Sequence, residues 1–203
     1  GLGDVYKRQI YEGEGDMLNM AFFKSLVKEH GKTFFEPVGK LMAQLGKRNP
    51  SVIDIVKNYK TFLPYVNWMA REAVLPKRGI RPMGFNKDLV SHAKFAIRGL
   101  QKSAWEVSAL MRRYQLGLAD RQCRMSILSR KIQNLTTIMV TVCYAFSKGD
   151  QLIAEIANVS CDNLVNKITG KHPTDSQIKK SVALGKKISE KEIASYGSVL
   201  MRY

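Results

Sequence analysis

Apolar residues recur at steps of three and four along most of the chain, which is the spacing of an amphipathic helix. The longest such run begins after Asn86, whose side chain can cap a helix, and ends at Leu116 before Gly117, a suitable C′ residue. No stretch of useful length alternates apolar and polar residues as a strand does. The pattern therefore predicts an all-α chain and a long helix whose apolar positions are Leu89, Ala93, Ala96, Ile97, Leu100, Ala104, Val107, Met111 and Tyr114.

Three further helices are predicted at short intervals after this one. The second runs from Ala119 to Ser147, the third begins at Asp150 and closes at Gly170, and the fourth opens at Thr174. Their apolar positions are Cys123, Ile127, Leu128, Ile132, Leu135, Met139, Val142 and Phe146, then Ile153, Ile156, Ala157, Leu164 and Ile168, and finally Ile178, Val182 and Ala183. Long helices with short connections pack antiparallel. Residues 86–188 are therefore predicted to form an antiparallel helical bundle.

The residues before 86 are predicted to form shorter helices. Leu18, Phe22 and Leu26 give the first of them an apolar face. The first helix is expected to start at Asp16 and stop at His30-Gly31, and the second to start at Pro37 and stop at Gly46 or Pro50. Ser51 is expected to start the third helix, and Pro64 a new turn. Two prolines and two glycines mark a linker over 75–85. The expected segments are 1–9, 10–74, this linker, and a C-terminal bundle over 86–203.

Composition bounds the class of protein. The chain has 203 residues, 45% of them hydrophobic, which is enough for a sizeable core. Its longest apolar run, from Leu135 to Phe146, is too short to span a bilayer. Three scattered cysteines and three histidines without ligand spacing predict reduced thiols and no metal site. The net charge of +16 is shared evenly between the two halves of the chain, which favours a general attraction to anionic partners.

The stretch most suggestive of chemistry is Ile10-Tyr11-Glu12-Gly13-Glu14-Gly15-Asp16-Met17-Leu18. In it an aromatic residue, a glutamate and a glycine run directly into an apolar helix. This segment resembles the catalytic-glutamate segment of the acyl-CoA dehydrogenases, flavoenzymes that usually read Tyr-Glu-Gly-Thr before a helix. The layout of the chain is closest to the very-long-chain type. The alternative is that Glu12 only precedes a helix, where an acidic side chain suits the helix dipole.

The resemblance implies that Glu12 is the base that removes the α-proton of a fatty acyl-CoA, with FAD as the hydride acceptor. It places Tyr11 and Gly13 at the substrate, where the glycine allows close backbone approach, and it gives the N–H of Glu12 a role in polarising the thioester carbonyl. Glu14 and Asp16 stand at cofactor-binding positions but depart from the Thr and Gln common there. The resemblance also implies an electron-transfer flavoprotein or similar acceptor, and a homodimer.

The first nine residues lack an initiator Met and resemble a non-native scar. If Glu12 is the family glutamate, the resemblance implies that an N-terminal helical domain, a β-domain and part of the flavin site belong upstream of it. On that basis the chain is expected to be the C-terminal part of a longer enzyme and to be inactive alone. Its parent is expected in a bacterial cytoplasm or a mitochondrial matrix. Residues 64–83 mix apolar, aromatic and cationic side chains, which suits peripheral contact with an anionic inner membrane. The alternative is that Tyr65 and Trp68 pack into the bundle.

A second function remains open on the basis of charge. One branch of the same family, linked to the alkylation response, has a basic helical C-terminal region that binds nucleic acid. The net charge of +16 is compatible with that branch. However, the basic residues form no stripe along a helix, so nucleic acid is not the expected partner.

Overall fold

The computed structural model describes residues 15–47, 49–74 and 86–196, and the regular structure in these ranges is helical. A π-helical turn, Gly31–Phe35, and a 3₁₀ helix, Gln115–Asp120, accompany the α-helices. The α-helices are α1 (Gly15–His30), α2 (Glu36–Gln44), α3 (Val52–Lys57), α4 (Tyr59–Val74), α5 (Lys87–Tyr114), α6 (Gln122–Lys148), α7 (Gln151–Thr169) and α8 (Asp175–Tyr196). No strand occurs in the described ranges, so the all-α prediction is confirmed. The linker expected over 75–85 lies outside them.

Side-chain caps begin α5 and α7 where the sequence predicted them. The Asn86 side chain accepts hydrogen bonds from the backbone N–H groups of Asp88, at 2.9 Å, and Leu89, at 3.3 Å. The Asp150 carboxylate accepts one from the N–H of Ile153 at 2.9 Å. These N–H groups lie in the first helical turn and have no partner within the helix, so the caps stabilise each start.

Three more predicted boundaries are confirmed by local geometry. The Thr174 hydroxyl accepts a hydrogen bond from the N–H of Gln177 at 3.3 Å and begins α8. Gly170 ends α7 in the left-handed region, with φ of 69°, where a side chain would be strained. Ser51 and Asp54 form a reciprocal capping box at the start of α3.

The N-terminal helices differ from their predicted boundaries. Asp16 is not the cap of α1, because the helix already begins at Gly15. The chain also does not stop at His30-Gly31. It widens there into the π-helical turn and continues directly into α2, whose first turn contains Pro37.

The buried side of α1 also differs from the prediction. Phe23 is fully buried, whereas Phe22 is 36% exposed. The run contains apolar residues on adjacent positions, so the sequence offers two nearly equivalent faces and packing selects the one that carries Phe23.

Pro64 and Gly117 do not interrupt helices as expected. Pro64 lies inside α4, on its exposed side. Proline has no backbone N–H to donate to the carbonyl four residues earlier, and on this side water can donate to that carbonyl instead. Gly117 lies inside the 3₁₀ helix, because α5 tightens after Tyr114 instead of ending in a left-handed residue.

The described chain divides into two compact units. Unit 1 falls within residues 1–78 and 101–132, and unit 2 falls within residues 79–100 and 133–203. Helices α5 and α6 therefore contribute residues to both.

Unit 2 has a core made by α5, α6 and α7. Gly99 allows α5 to approach Leu135 of α6 closely, since a Cβ added there would lie 2.6 Å from Leu135 Cδ2. The buried residues of this core are Leu89, Ala93, Ala96, Leu135, Ile138, Val142, Ala145, Ala154, Ala157 and Cys161. Small residues on all three helices permit this close packing.

Helix α8 runs antiparallel to α7. The side chains of Asn166 and Gln177 meet near their connection, and those of Glu155 and Lys187 meet near the opposite end of α7. In the part of α8 whose burial is described, residues 175–190, Leu184 is the buried apolar residue. Several predicted inward positions are instead exposed, because each helix buries a neighbouring stripe. They are Ala104, Cys123, Ile127, Ile156, Ile178, Val182 and Ala183.

Replacing Gly99 by Ala is expected to lower the free energy of unfolding by about 1–3 kcal/mol, because the new methyl group would overlap the buried Leu135 side chain. The matched control is Gly185→Ala in α8, where an added Cβ meets no atom within 4 Å. That change is expected to stabilise by up to about 1 kcal/mol through helix propensity. Urea unfolding followed by circular dichroism measures both, and stabilisation by Gly99→Ala would contradict the close approach.

Candidate functional site

The proposed catalytic segment lies at the entrance of α1. Tyr11, Glu12, Gly13 and Glu14 are outside the described residues, and α1 begins at the next residue, Gly15. Asp16 occupies the first turn of α1, and its side chain is likewise not described. The expected order of motif and helix is therefore present, and the contacts of the five candidate residues stay predictions.

Helix α1 leads into a cluster of aromatic side chains in unit 1. We call His30, Phe34, Phe35, Tyr65, Trp68 and Trp105 the aromatic cluster. The His30 ring lies 4.8 Å from both Phe34 and Trp68, measured between ring centroids. Trp68 in turn stacks on Tyr65 at 5.8 Å and contacts Trp105 of α5 at 5.6 Å. Such pairs stabilise beyond their buried area, so the cluster joins the π-helical turn, α4 and α5.

The π-helical turn explains why two consecutive phenylalanines reach the same cluster. Phe34 lies 5.7 Å from the Tyr65 ring, and Phe35 lies 5.3 Å from it. A π-helical turn holds an additional residue, which changes the direction of the following side chains. The sequence analysis missed this arrangement, and the Phe34-Phe35 pair beside Gly31 was its available signal.

The polar atoms of the cluster have contrasting environments. The Tyr65 hydroxyl and the Ser108 hydroxyl form a hydrogen bond of 2.6 Å. His30 Nε2 is buried without a hydrogen-bond partner, and burial lowers the pKa of His30. A neutral imidazole in apolar surroundings fits a packing role, and no described carboxylate orients it as a general base.

A second histidine, His92, lies in unit 2 beside an acidic residue. His92 Nε2 is 3.6 Å from Asp162 Oδ1. Burial lowers the pKa of His92, and the nearby Asp162 and Asp88 carboxylates oppose that shift. Burial also raises the pKa of Cys161 to about 11, which keeps its thiol protonated and unreactive. Among the described residues, no group of three acidic, histidine or cysteine side chains is arranged to hold a metal ion.

An exposed apolar surface covers α3 and the outer side of α4. Val52, Ile53 and Val56 are 77%, 65% and 68% exposed. Together with Tyr59, Leu63 and Val66, which are also exposed, they form what we call the α3–α4 apolar surface. Large aliphatic side chains at this density mark a contact site more often than a free surface. Val52 and Val56 are four residues apart and therefore lie on one face of α3.

The carboxylate of α3, Asp54, is neutralised locally. Lys47 Nζ donates to both carboxylate oxygens of Asp54 at 2.9 Å, and the Ser51 hydroxyl donates to Asp54 Oδ2 at 2.6 Å. These bonds, the one from Lys47 foremost, hold the pKa of Asp54 well below its usual range. The exposed cations Lys57 and Lys60 flank the apolar residues.

The membrane-contact prediction for residues 64–83 can be compared with the side-chain positions in the described part of this range. Tyr65 and Trp68 face the aromatic cluster, so the packing alternative describes both residues. Residues 75–85 lie outside the described ranges. The exposed large apolar side chains of α3 and α4 extend from Val52 to Val66, so among them only Val66 belongs to the described part of 64–83.

Comparisons with protein-family models, with curated proteins and with solved structures find no match for this chain. In the part of the chain that the structure describes, none of the helices combines the length and the apolar character needed to cross a bilayer.

Acidification is expected to destabilise the folded chain through His30. The unfolded chain has the ordinary histidine pKa of 6.5, and the folded chain has a lower one, so the unfolded state takes up the proton first as pH falls. The free energy of unfolding should therefore decrease below about pH 6.5 until the folded pKa is passed. Urea unfolding monitored by tryptophan fluorescence measures this, because Trp68 contacts His30.

The His30→Phe variant keeps an aromatic ring but cannot titrate, so its stability should depend less on pH over this window. The His92→Phe variant retains His30 and should still lose stability on acidification. An unchanged pH dependence in His30→Phe would contradict the assignment.

Proposed function

We propose that this chain is the C-terminal part of an FAD-dependent acyl-CoA dehydrogenase of the very-long-chain type, with Glu12 as the α-proton base. The observation that carries the proposal is the sequence Tyr11-Glu12-Gly13, two residues before the start of the 16-residue helix α1. The all-helical architecture is compatible with the C-terminal domain of such an enzyme.

In this proposal Glu12 takes the proton from the α-carbon of a fatty acyl thioester. A carboxylate can do so at neutral pH if apolar surroundings raise its pKa, and Tyr11 and Met17 are its apolar neighbours in sequence. The N–H of Glu12 stabilises the negative charge that develops on the thioester oxygen. Gly13 leaves room for the substrate, since it has no side chain.

The residues at the expected cofactor-binding positions suit FAD less well than Glu12 suits the role of base. Glu14 and Asp16 would bring two negative charges towards the FAD pyrophosphate, which is unfavourable for binding an anion. FAD supplies the acceptor for the β-hydride when it is bound, and in this proposal other parts of the longer protein hold it. The electron-transfer flavoprotein and the homodimer expected from the resemblance belong to that longer protein.

Glu12→Gln in the longer protein is expected to slow flavin reduction by substrate about 10²- to 10⁴-fold, because the amide keeps the shape of the side chain but not its basicity. Stopped-flow absorbance of the flavin measures the step. Glu14→Gln and Asp16→Asn are the matched controls, and both should leave the rate nearly unchanged. Flavin reduction that is unaffected by Glu12→Gln would assign the base to another residue.

We also propose that the α3–α4 apolar surface attaches the protein to an anionic lipid surface. Helix α4 is apolar on two sides, since Tyr65 and Trp68 face the aromatic cluster while Leu63 and Val66 are exposed. A helix that is apolar around most of its circumference is normally covered by protein or lipid.

Charge favours lipid over a second copy of the chain. Residues 36–72 contain three acidic residues, Glu36, Asp54 and Glu72, against the cations Lys40, Lys47, Arg48, Lys57, Lys60 and Arg71. A symmetric dimer through this face would bring the same excess of positive charge together from both subunits. An anionic bilayer offers both an apolar interior for the aliphatic residues and negative headgroups for Lys57 and Lys60.

Replacing Val52, Ile53 and Val56 by Ser is expected to weaken binding to phosphatidylcholine–phosphatidylserine vesicles at least about tenfold, because three exposed aliphatic side chains no longer enter the bilayer. Flotation of the full chain with vesicles measures binding. The control is Ile178→Ser with Val182→Ser, which removes two exposed aliphatic residues from α8 and should preserve binding.

Three results would contradict lipid attachment through this surface. The first is undiminished vesicle binding by the triple variant. The second is a concentration-dependent oligomer that the triple variant abolishes, and the third is selective capture of an acidic protein in place of vesicles.

A further inference from the structure

Three arginine side chains surround one tyrosine at the connection between α5 and α6. The guanidinium carbons of Arg113, Arg121 and Arg124 lie 5.6, 5.4 and 5.8 Å from the centre of the Tyr114 ring. Any two of these guanidinium carbons therefore lie no farther apart than about twice 5.8 Å. We call these four residues the Tyr114 arginine cluster. It belongs to unit 1 and is exposed to solvent through its arginines.

The positive charge of the cluster is not balanced by acidic side chains. In the described ranges, none of the three guanidinium groups lies within ion-pair distance of a carboxylate. Asp120 is the nearest acidic residue in sequence, and Glu106 is already paired with Lys131 at 2.7 Å. The tyrosine ring attracts each cation, but it carries no net charge and does not cancel their mutual repulsion.

Two of the arginines are also placed unfavourably for the helix that carries them. Arg113 lies in the last turn of α5, where a cation suits the helix dipole. Arg121 directly precedes α6 and Arg124 lies in its first turn, where cations are disfavoured, and this turn has no acidic residue. Helix stability therefore gives no reason for Arg121 and Arg124.

We propose that the Tyr114 arginine cluster binds a phosphate-bearing anion with at least two negative charges, such as a pyrophosphate group. The planar guanidinium group donates paired hydrogen bonds that match phosphate oxygens, and three of them held around one aromatic ring without carboxylate partners suit a multiply charged ligand. Bound anion would relieve the repulsion among the arginines and at the start of α6. The tyrosine holds the side chains together before binding, which reduces the entropy lost on ordering them. The site is independent of the proposed dehydrogenase activity.

The probe is inorganic pyrophosphate, titrated into the full chain by calorimetry at low ionic strength. Arg121→Gln with Arg124→Gln is expected to weaken binding at least about tenfold, since two charged donors are lost. The matched control, Lys179→Gln with Lys186→Gln, removes two exposed charges from α8 and should change the affinity less than about twofold. Equal losses in both variants would mean that net charge alone attracts the anion, and absence of binding to the native chain would also overturn the proposal.

Thermal unfolding separates a binding role from a structural one. Without ligand, the Arg121→Gln, Arg124→Gln variant should melt at the same temperature as the native chain or higher, because repulsion is removed. Pyrophosphate should raise the melting temperature of the native chain but not of this variant. A lower melting temperature of the unliganded variant would show that the arginines stabilise the fold, and the proposal would fail.

The source of the phosphate is distinguished with vesicles. The Val52→Ser, Ile53→Ser, Val56→Ser variant is used, so that the α3–α4 apolar surface does not contribute to binding. Its binding to phosphatidylcholine vesicles is measured with and without phosphatidic acid. Binding of phosphatidic acid vesicles that depends on Arg121 and Arg124 identifies a lipid headgroup. Binding of pyrophosphate alone identifies a soluble phosphate ligand. Either result supports the site. If the chain binds neither pyrophosphate nor phosphatidic acid vesicles, the proposal is refuted.

Discussion

The aromatic cluster around His30 is the contact on which the rest of unit 1 depends. It holds the π-helical turn after α1 against Tyr65 and Trp68 of α4, and Trp68 in turn contacts Trp105 of α5. Because the inner side of α4 is committed to this cluster, its outer side, with Leu63 and Val66, is left exposed. The apolar contacts inside the unit therefore determine which aliphatic side chains of α4 remain on its surface.

Much of the fold followed from local sequence signals. The caps at Asn86, Asp150 and Thr174 and the stop at Gly170 are decided within four residues of each helix end, so the sequence predicted them. Helical periodicity likewise gave the all-α class. The motif at Glu12 was found in the same local way, and its three-dimensional surroundings lie outside the described residues.

Features that depend on tertiary packing were not predictable in this way. Several helices carry two apolar stripes. Only packing against a neighbouring helix of the same chain decides that Phe23 is buried while Phe22 and Ile178 are exposed. The π-helical turn at Gly31 and the retention of Pro64 inside α4 are likewise not marked by a local sequence signal. The convergence of Arg113, Arg121 and Arg124 on Tyr114 also needs the turn between α5 and α6, which sequence spacing does not reveal.

The functional account rests on the claim that Glu12 belongs to a flavoenzyme longer than this chain. The measurement that tests it most directly is the genomic sequence immediately upstream of the codon for Ile10. We expect the reading frame to continue upstream and to encode a helical domain followed by a β-domain with a flavin site. A stop codon directly before Ile10, or an upstream segment without a flavin-binding domain, would contradict the claim.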